Sequence, residues 1–442
     1  MAKKFALVVV LLLVAIFVFA GCATEDYTAV PLEGNTSGQV YSNGGLAVIK
    51  GDYLYYVNGC PSSNGVENTY GKVEIGAVVR ISLFNMNQAM ISANPEDVIE
   101  ANAEIVVPKI IYSENVTQKF LNGIHIFGDR LYYTTPDTTI DREGAAQYTR
   151  LAIKSCNLDG TDTMHHYIFD ESDYTVAFAE INGVPYACFV QNANLYLLDL
   201  TKENVTPQLV KENVSSVMYG EGIAFFINDT DICSYTFGGE VKVVMENPTV
   251  DGEPVTDTTF ALMNVQDQTL YYSASALINF GFYKVTVNGD SQKLSNLNPT
   301  SYSSYTMMGW NDKFVMIKAT DIKLYDPIAK TSPEDIKIES SSVTFVGIQD
   351  GYIIYTVPDA DDAAVTVTKM AYYDGSKAVT RVTTTKTSSN WTNIDICGNG
   401  EDNYVFFIDS VTALRGYSIY AVDIDEHNHT DKLITKGYVP AA

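Results

Sequence analysis

The sequence predicts an all-β fold: a β-propeller of eight four-stranded blades, with seven or six blades as the alternatives. Three observations predict it. A Leu-Tyr-Tyr stretch recurs, as GDYLYYV at 51–57, FGDRLYYTT at 127–135 and DQTLYY at 267–272. Runs of this kind return at nearly blade-length intervals. Each is followed by a second strand-like run that ends in a polar turn.

Apolar and aromatic runs behind a turn residue centre on positions 54, 131, 186, 224, 270, 314, 353 and 405, at intervals of 77, 55, 38, 46, 44, 39 and 52. Propeller blades repeat every roughly 40–50 residues. The long first interval holds an insertion around residues 85–115. Eight anchors mean eight blades, and 184–189 is the weakest anchor because Pro185 interrupts it; proline suits only strand starts and edges.

The second run of each unit is VVRISLF (78–84), LAIKSCNLD (151–159), LYLLDL (195–200), ICSYTF (232–237), FYKVTVN (282–288), IKLYD (322–326), KMAYYD (369–374) and YSIYAVD (417–423). Asp159-Gly160, Gly289-Asp290, Asp326-Pro327 and Asp374-Gly375 close four of them, residues that suit tight turns. Preceding strands are visible at 45–49, 214–218, 305–309, 343–348 and 394–397. Closing strands are visible at 241–245, 335–338, 379–382 and 432–435. Four short strands per unit make a propeller blade, and the anchor is its second strand, entered through a tight hairpin. Its Leu and Tyr pack between blades, a place that suits tyrosine, whose ring buries while its hydroxyl finds a polar partner. Tyrosine accordingly has 30 copies against 2 of tryptophan. No window beyond the amino terminus has a convincing helical period.

The amino terminus reads differently. Met1-Ala2-Lys3-Lys4, an apolar run over 5–20 and then Gly21-Cys22 make a bacterial export signal. The run is short for a membrane span. Phe19-Ala20-Gly21-Cys22 resembles the lipobox of bacterial lipoproteins, with Phe19 where leucine is usual. The resemblance implies that Cys22 carries a diacylglycerol and becomes the new amino terminus. The expected organisation is a signal peptide over 1–21, a lipidated start and tether over 22–43, and one propeller domain over 44–442. The expected place is extracytoplasmic, held to the cell membrane by the lipid.

Removing the signal removes Lys3 and Lys4, so the net charge moves from −25 to −27. So acidic a chain repels phosphate backbones, and nucleic acid is not an expected partner. Of six cysteines, Cys22 is the lipid acceptor, and Cys156, Cys188, Cys233 and Cys397 sit in apolar runs with no CxxC spacing. They read as small buried hydrophobes, and no pairing follows from the sequence.

A wider likeness rests on NTSGQVYSNGGLAVIKGDYLYY at 35–56 and on the matches at 128–133, 151–161 and 270–294. These resemble the DUF5050 propeller of Gram-positive lipoproteins and secreted proteins, whose repeat joins a GDxIYY-type strand to LYKxxxDGxxxxKL. A more distant likeness runs to the YWTD propellers of lipoprotein-receptor ectodomains, whose motif falls at Tyr132-Tyr133-Thr134-Thr135. Both imply a six- to eight-bladed propeller. Neither carries over a catalytic residue, and fold likeness alone assigns no function.

Candidate chemistry is sparse. Asp423-Ile424-Asp425-Glu426-His427-Asn428-His429 holds the candidate metal ligands Asp425, Glu426, His427 and His429. The same turn in other units is polar without them, so the repeat explains the cluster, and neither a metal nor a cofactor is expected. His165-His166 sit in a strand, where neighbours point to opposite faces, and are read as surface or inter-blade contacts. His125, in the first strand of its unit, is a candidate for the central channel. Asp359-Ala360-Asp361-Asp362 lacks the glycine and terminal glutamate of a calcium loop and is read as a solvated acidic loop. There is no GxSxG, HExxH, P-loop or GxGxxG after a strand.

The leading expectation is a monomeric, surface-tethered and non-enzymatic propeller that binds a protein, peptide or envelope glycan. Contact points are expected in the insertions 59–72 and 85–115, through Tyr70 and Tyr112. The alternative is a hydrolase or lyase acting on carbohydrate through carboxylates converging at the central funnel, one with a raised pKa. The mostly apolar or small first strands (GLAVIK, SSVMYG, SYTMMGW) weigh against it.

Overall fold

The computed structural model describes residues 37–59, 76–108, 110, 122–137, 150–172, 174–247, 249–250, 253–254, 259–275, 280–327, 334–335, 342–361, 366–375, 380–381, 392–410, 417–424 and 432–434. It is an eight-bladed β-propeller. Each blade is an antiparallel meander whose strands are hydrogen-bonded in chain order. The eight expected anchors are the second strands of the eight blades, including Val184–Gln191, in which Pro185 pairs with Glu180 at the hairpin end.

The alternation along these strands builds the ring. In blade 1, strands β1 (Val40–Tyr41), β2 (Ala47–Lys50), β3 (Tyr53–Val57), β4 (Val78–Ser82) and β5 (Glu104–Val107) lie side by side. Leu54 and Tyr56 pack with Phe406 and Ala421 of blade 8, while Tyr55 and Val57 pack with Ile124 and Leu131 of blade 2. Successive side chains of a strand point to opposite faces, so one strand serves two interfaces. The same logic gives eight apolar clusters, one for each pair of neighbouring blades. A sheet wedge alone would leave both faces wet; the ring covers them.

Side-chain amides of the first strands then tie neighbouring blades, each donating to a carbonyl and accepting from an N–H. Asn264 pairs with Gly309 at 2.8 Å in both directions. Gln349 pairs with Ile396 at 3.1 Å in both directions. Asn122 of blade 2 takes the Val176 N–H at 2.9 Å and gives to the Tyr174 carbonyl at 3.2 Å. These bonds continue backbone-like pairing around the axis where no ladder joins the blades.

Strand direction sorts the connections onto two faces. Seven of the eight first-to-second strand links are two-residue turns, such as Gly51-Asp52 and Asp350-Gly351; the eighth spans 399–402. Asn182-Gly183, Asn311-Asp312 and Asp350-Gly351 have positive φ at both positions, the primed-turn geometry that matches strand twist. The second-to-third strand links begin and end at strand termini on the opposite face, and five of them are longer than two residues, at 58–77, 137–150, 276–280, 359–365 and 411–416.

One expectation is corrected. The insertion 85–115 is partly helical: helix α1 (Leu83–Ile91) and helix α2 (Pro95–Asn102) join β4 to β5. α1 is capped by the Ser82 hydroxyl, which accepts from the Asn85 N–H, and buries Leu83, Met86, Ala89 and Met90. Phe84 and Ile91 on its other side blur the helical period in the sequence. α2 starts with Pro95 and has Glu96 and Asp97 in its first turn, start signals that do stand in the sequence.

α1 crosses the ring seam. Leu83 donates its N–H to the Asp52 carbonyl at the tip of blade 1. Asn87 donates to Asp402 at 2.7 Å at the tip of blade 8 and accepts from the Tyr404 hydroxyl. Met86 and Ala89 join the cluster shared by blades 1 and 8. The helix therefore closes the ring. Met86→Ala should cost about 2–5 kcal/mol, seen as a lower urea midpoint than that of Leu209→Ala on the rim.

Candidate functional site

The axis of the ring is where first strands from several blades meet, and here it holds the chain's own amino-terminal segment. β1 pairs antiparallel with the inner edge of β2, Val40 with Lys50 and Tyr41 with Ile49. The segment continues between blades 8 and 2. Ser42 Oγ accepts from the Gly398 N–H at 3.0 Å. Asn43 accepts from the Ile126 N–H at 2.7 Å and donates to its carbonyl at 3.0 Å. The Gly44 N–H reaches the Ile124 carbonyl at 3.0 Å, and the Ile124 N–H reaches the Gly45 carbonyl at 3.0 Å.

Beside this plug lies a polar cavity of about 660 Å³. Ser42, Asn43 and Gly45 line it from blade 1, Gly123 from blade 2, Gln349 and Asp350 from blade 7, and Asp395 and Gly398 from blade 8. Asp395 sits within the strand Thr392–Gly398 and is 5% exposed. One oxygen accepts from the Ala47 N–H at 3.1 Å, the other from Gln349 Nε2 at 2.8 Å. It thus holds the turn by which the plug becomes β2. A Cβ on Gly45 would lie 2.0 Å from Asp395 Oδ2, and one on Gly123 would lie 1.9 Å from the Gly44 carbonyl. Only glycine lets the chain pass so close.

Burial pushes the Asp395 carboxyl up to about 6; the bonds from Gln349, Ala47 and Leu46 pull the other way, and nearby Asp350 adds to the rise. Asp350 sits exposed at the rim, in the turn Asp350-Gly351, and the protein around it raises its carboxyl too. The cavity therefore presents one carboxylate committed to the fold and one at the opening. It offers fixed hydrogen-bonding groups to a polar ligand. A smaller cavity of about 300 Å³ lies between blades 5 and 6, where Lys284 and Asp312 are already paired at 2.5 Å.

The sequence candidates fall as follows. His125 does not line the cavity. It is buried, its Nε2–H donates to the Asn122 carbonyl at 3.0 Å, and its ring lies 4.5 Å from that of Phe178. Burial lowers its pKa to about 4. His166 is a buried inter-blade contact: Nδ1 reaches the Lys202 carbonyl at 2.7 Å and Nε2 meets the Ser155 hydroxyl at 2.8 Å; His165 is half-buried. Asp359 is buried rather than solvated and accepts from the Asp361 N–H at 2.9 Å, capping its own turn. Cys156, Cys188, Cys233 and Cys397 are buried and unpaired. Cys22, Tyr70, Tyr112, Asp425, Glu426, His427 and His429 lie outside the described residues, and no metal-binding group occurs among the described residues.

Sequence reading missed Asp395, Gln349, Ser42 and Asn43. Gln349 and Asp395 sit in otherwise apolar first strands with no motif around them. Asn43-Gly44-Gly45 was the available signal, a turn tripeptide directly before a strand.

No known family model matches the chain, and no curated protein matches it. Solved structures do match. They include the designed protein Ika8, 14% identical over 73% of this chain and 86% of that one, TM-score 0.41. A prolyl endopeptidase is 14% identical over 74% of this chain and 52% of that one, TM-score 0.45. YCF48 bound to D1 peptide is 11% identical over 56% of this chain and 77% of that one, TM-score 0.35. The chain thus spans about half of the prolyl endopeptidase.

Two titrations oppose each other here. As pH falls from 6.5 to about 4, the unfolded state takes up the His125 proton first, so stability is lost. As pH falls from about 6 to 3.8, the folded state takes up the Asp395 proton first, so stability is gained. His125→Phe should therefore gain on wild type during acidification from pH 6.5 to 4, by about 3 kcal/mol at one pKa unit per 1.4 kcal/mol. Asp395→Asn should lose ground over the same range. Urea midpoints at pH 7, 6, 5 and 4 read both.

Proposed function

We propose that the chain is a DUF5050-type lipoprotein of the cell surface whose propeller is a non-enzymatic binding module for a protein, peptide or envelope glycan. The axial cavity, with Asp350 at its rim, receives one polar group of that ligand. One observation carries this reading: both oxygens of Asp395 are taken by N–H donors of the fold, one from Ala47 where the plug becomes β2 and one from Gln349 of blade 7. A general acid must meet its substrate, and this carboxyl meets the fold instead. A binding recess needs only fixed polar groups at a concave place.

A hydrolase or lyase is the second reading. Two carboxylates line one cavity, and one of them has a pKa of about 6; carbohydrate-cleaving enzymes also work with a carboxylate pair, one member having a raised pKa.

The test is calorimetry of the soluble chain 23–442, without the lipid acceptor, against envelope peptides and muropeptides, with mass spectrometry of the same mixtures. The binding module predicts saturable heat, a tenfold or greater loss in Asp350→Arg, and unchanged ligand masses. Cleavage products that vanish in Asp395→Asn would establish the enzyme instead. For the anchor, Cys22→Ala should move the protein from the detergent phase to the aqueous phase on partitioning.

A further inference from the structure

Helix α1 has apolar residues on two sides, and among the described residues one side is buried and the other is exposed. Leu83, Met86, Ala89 and Met90 are buried in the seam. Phe84 is 72% exposed and Ile91 is 63% exposed. They are seven residues apart, so they share a face, with exposed Gln88 between them. Two large exposed apolar side chains on one helix face offer apolar surface that a contact can cover.

The same place receives the tether. The Gly51 N–H donates to the Gln39 carbonyl at 3.2 Å, and a Cβ on Gly51 would lie 2.2 Å from the Ser37 carbonyl. The neighbouring Asp52 accepts from the Leu83 N–H at 2.9 Å. Residues 37–39 and the first turn of α1 therefore flank one two-residue turn. Fourteen residues separate Cys22 from Ser37, a reach of at most roughly 50 Å even when fully extended. A lipid on Cys22 would hold this face within that distance of the bilayer.

We propose that the Phe84–Ile91 stripe of α1 seats in the outer leaflet of the lipid bilayer and turns the tight-turn face toward the membrane. The face with the longer links then points outward. The inference rests on the lipid-anchor reading for its tether. Two side chains do not hold a soluble protein on a vesicle, but a short tether raises their effective concentration to the millimolar range. Glu96, Asp97 and Glu100 on α2 oppose anionic headgroups, so the contact suits zwitterionic lipid and on anionic vesicles strengthens with salt.

The docking is read on phosphatidylcholine vesicles containing a nickel-chelating lipid, with 23–442 held through an amino-terminal hexahistidine. Phe84→Trp and Ile91→Trp are compared with the rim substitution Leu209→Trp, each against the background of Trp310 and Trp391. Brominated lipid should quench the first two at least threefold more than the third, with a blue-shifted emission. Equal quenching in all three overturns the proposal. So does a concentration-dependent dimer that Phe84→Asp abolishes, because a second copy then covers the face. Palmitate labelling that Cys22→Ala removes reports the anchor separately. Labelling without quenching sinks the docking alone; quenching without labelling sinks the anchor alone.

Discussion

Everything in this molecule depends on closing a ring whose first and last blades share no strand. Blade 1 is built from residues 40–107 and blade 8 from 392–433, so the chain that runs directly from each other blade into its neighbour does not run from blade 8 into blade 1, and among the described residues no β-ladder crosses the seam either. Apolar burial provides the main attraction, through Leu46, Ile49, Leu54 and Tyr56 against Cys397, Tyr404 and Phe406. Non-directional burial does not set the angle between two sheets. Direction comes from polar contacts at both levels of the seam. Ser42 and Asp395 hold it at the axis, and Asn87 of α1 ties it at the turn face. The helical insertion in blade 1 is thus a clasp. Among the described residues no other blade carries an α-helical insertion, and only this pair of neighbouring blades lacks a direct chain link.

The same requirement explains the buried charge near the axis. A carboxylate in a 5%-exposed position is costly to ionise. Asp395 is tolerated because backbone N–H groups at 46–47 and the Gln349 amide face it. The first strands elsewhere use neutral amides for the job, as Asn264 and Gln349 do. Blade 8 uses an acid because its neighbour there offers the N–H groups of Leu46 and Ala47, while the Gly45 and Leu46 carbonyls already accept from Ile124 and Val57. This also explains why a raised carboxyl pKa beside a cavity is weak evidence for catalysis here.

The blade count and strand order were legible in the sequence because they rest on local signals. Leu-Tyr-Tyr alternation, Asp-Gly turns and even spacing each need only a few adjacent residues. Tyrosine behaved partly as expected: the Tyr271 hydroxyl accepts the Asp312 N–H at 3.0 Å, whereas the Tyr56 hydroxyl is buried with no hydrogen-bond partner among the described residues. There the ring alone accounts for the choice, stacked 6.0 Å from Phe406. The axial site was illegible for the opposite reason. It joins residues near 43, 123, 349 and 395, which are distant in the chain and belong to four blades. Gln349 and Asp395 look like ordinary polar interruptions of apolar strands until the ring brings them together. α1 was hidden because Phe84 and Ile91 put apolar residues outside the buried stripe.

The plug links these features into one mechanical unit. Residues 37–45 run along the axis, pair with β2 and end in the turn held by Asp395. On the proposed lipid anchor, a pull on the tether would therefore be a pull on the seam. Load enters at Ser37, beside Gly51, and passes along β1, whose bonds to β2 lie across the strand direction and share the force. It then reaches Asn43 and Ser42, which spread it to blades 2 and 8. An anchor attached at the rim would instead peel one outer strand from one blade. Under that proposal a leash entering through the axis would meet three blades that resist together, and the rim and the long-link face would be left free of it.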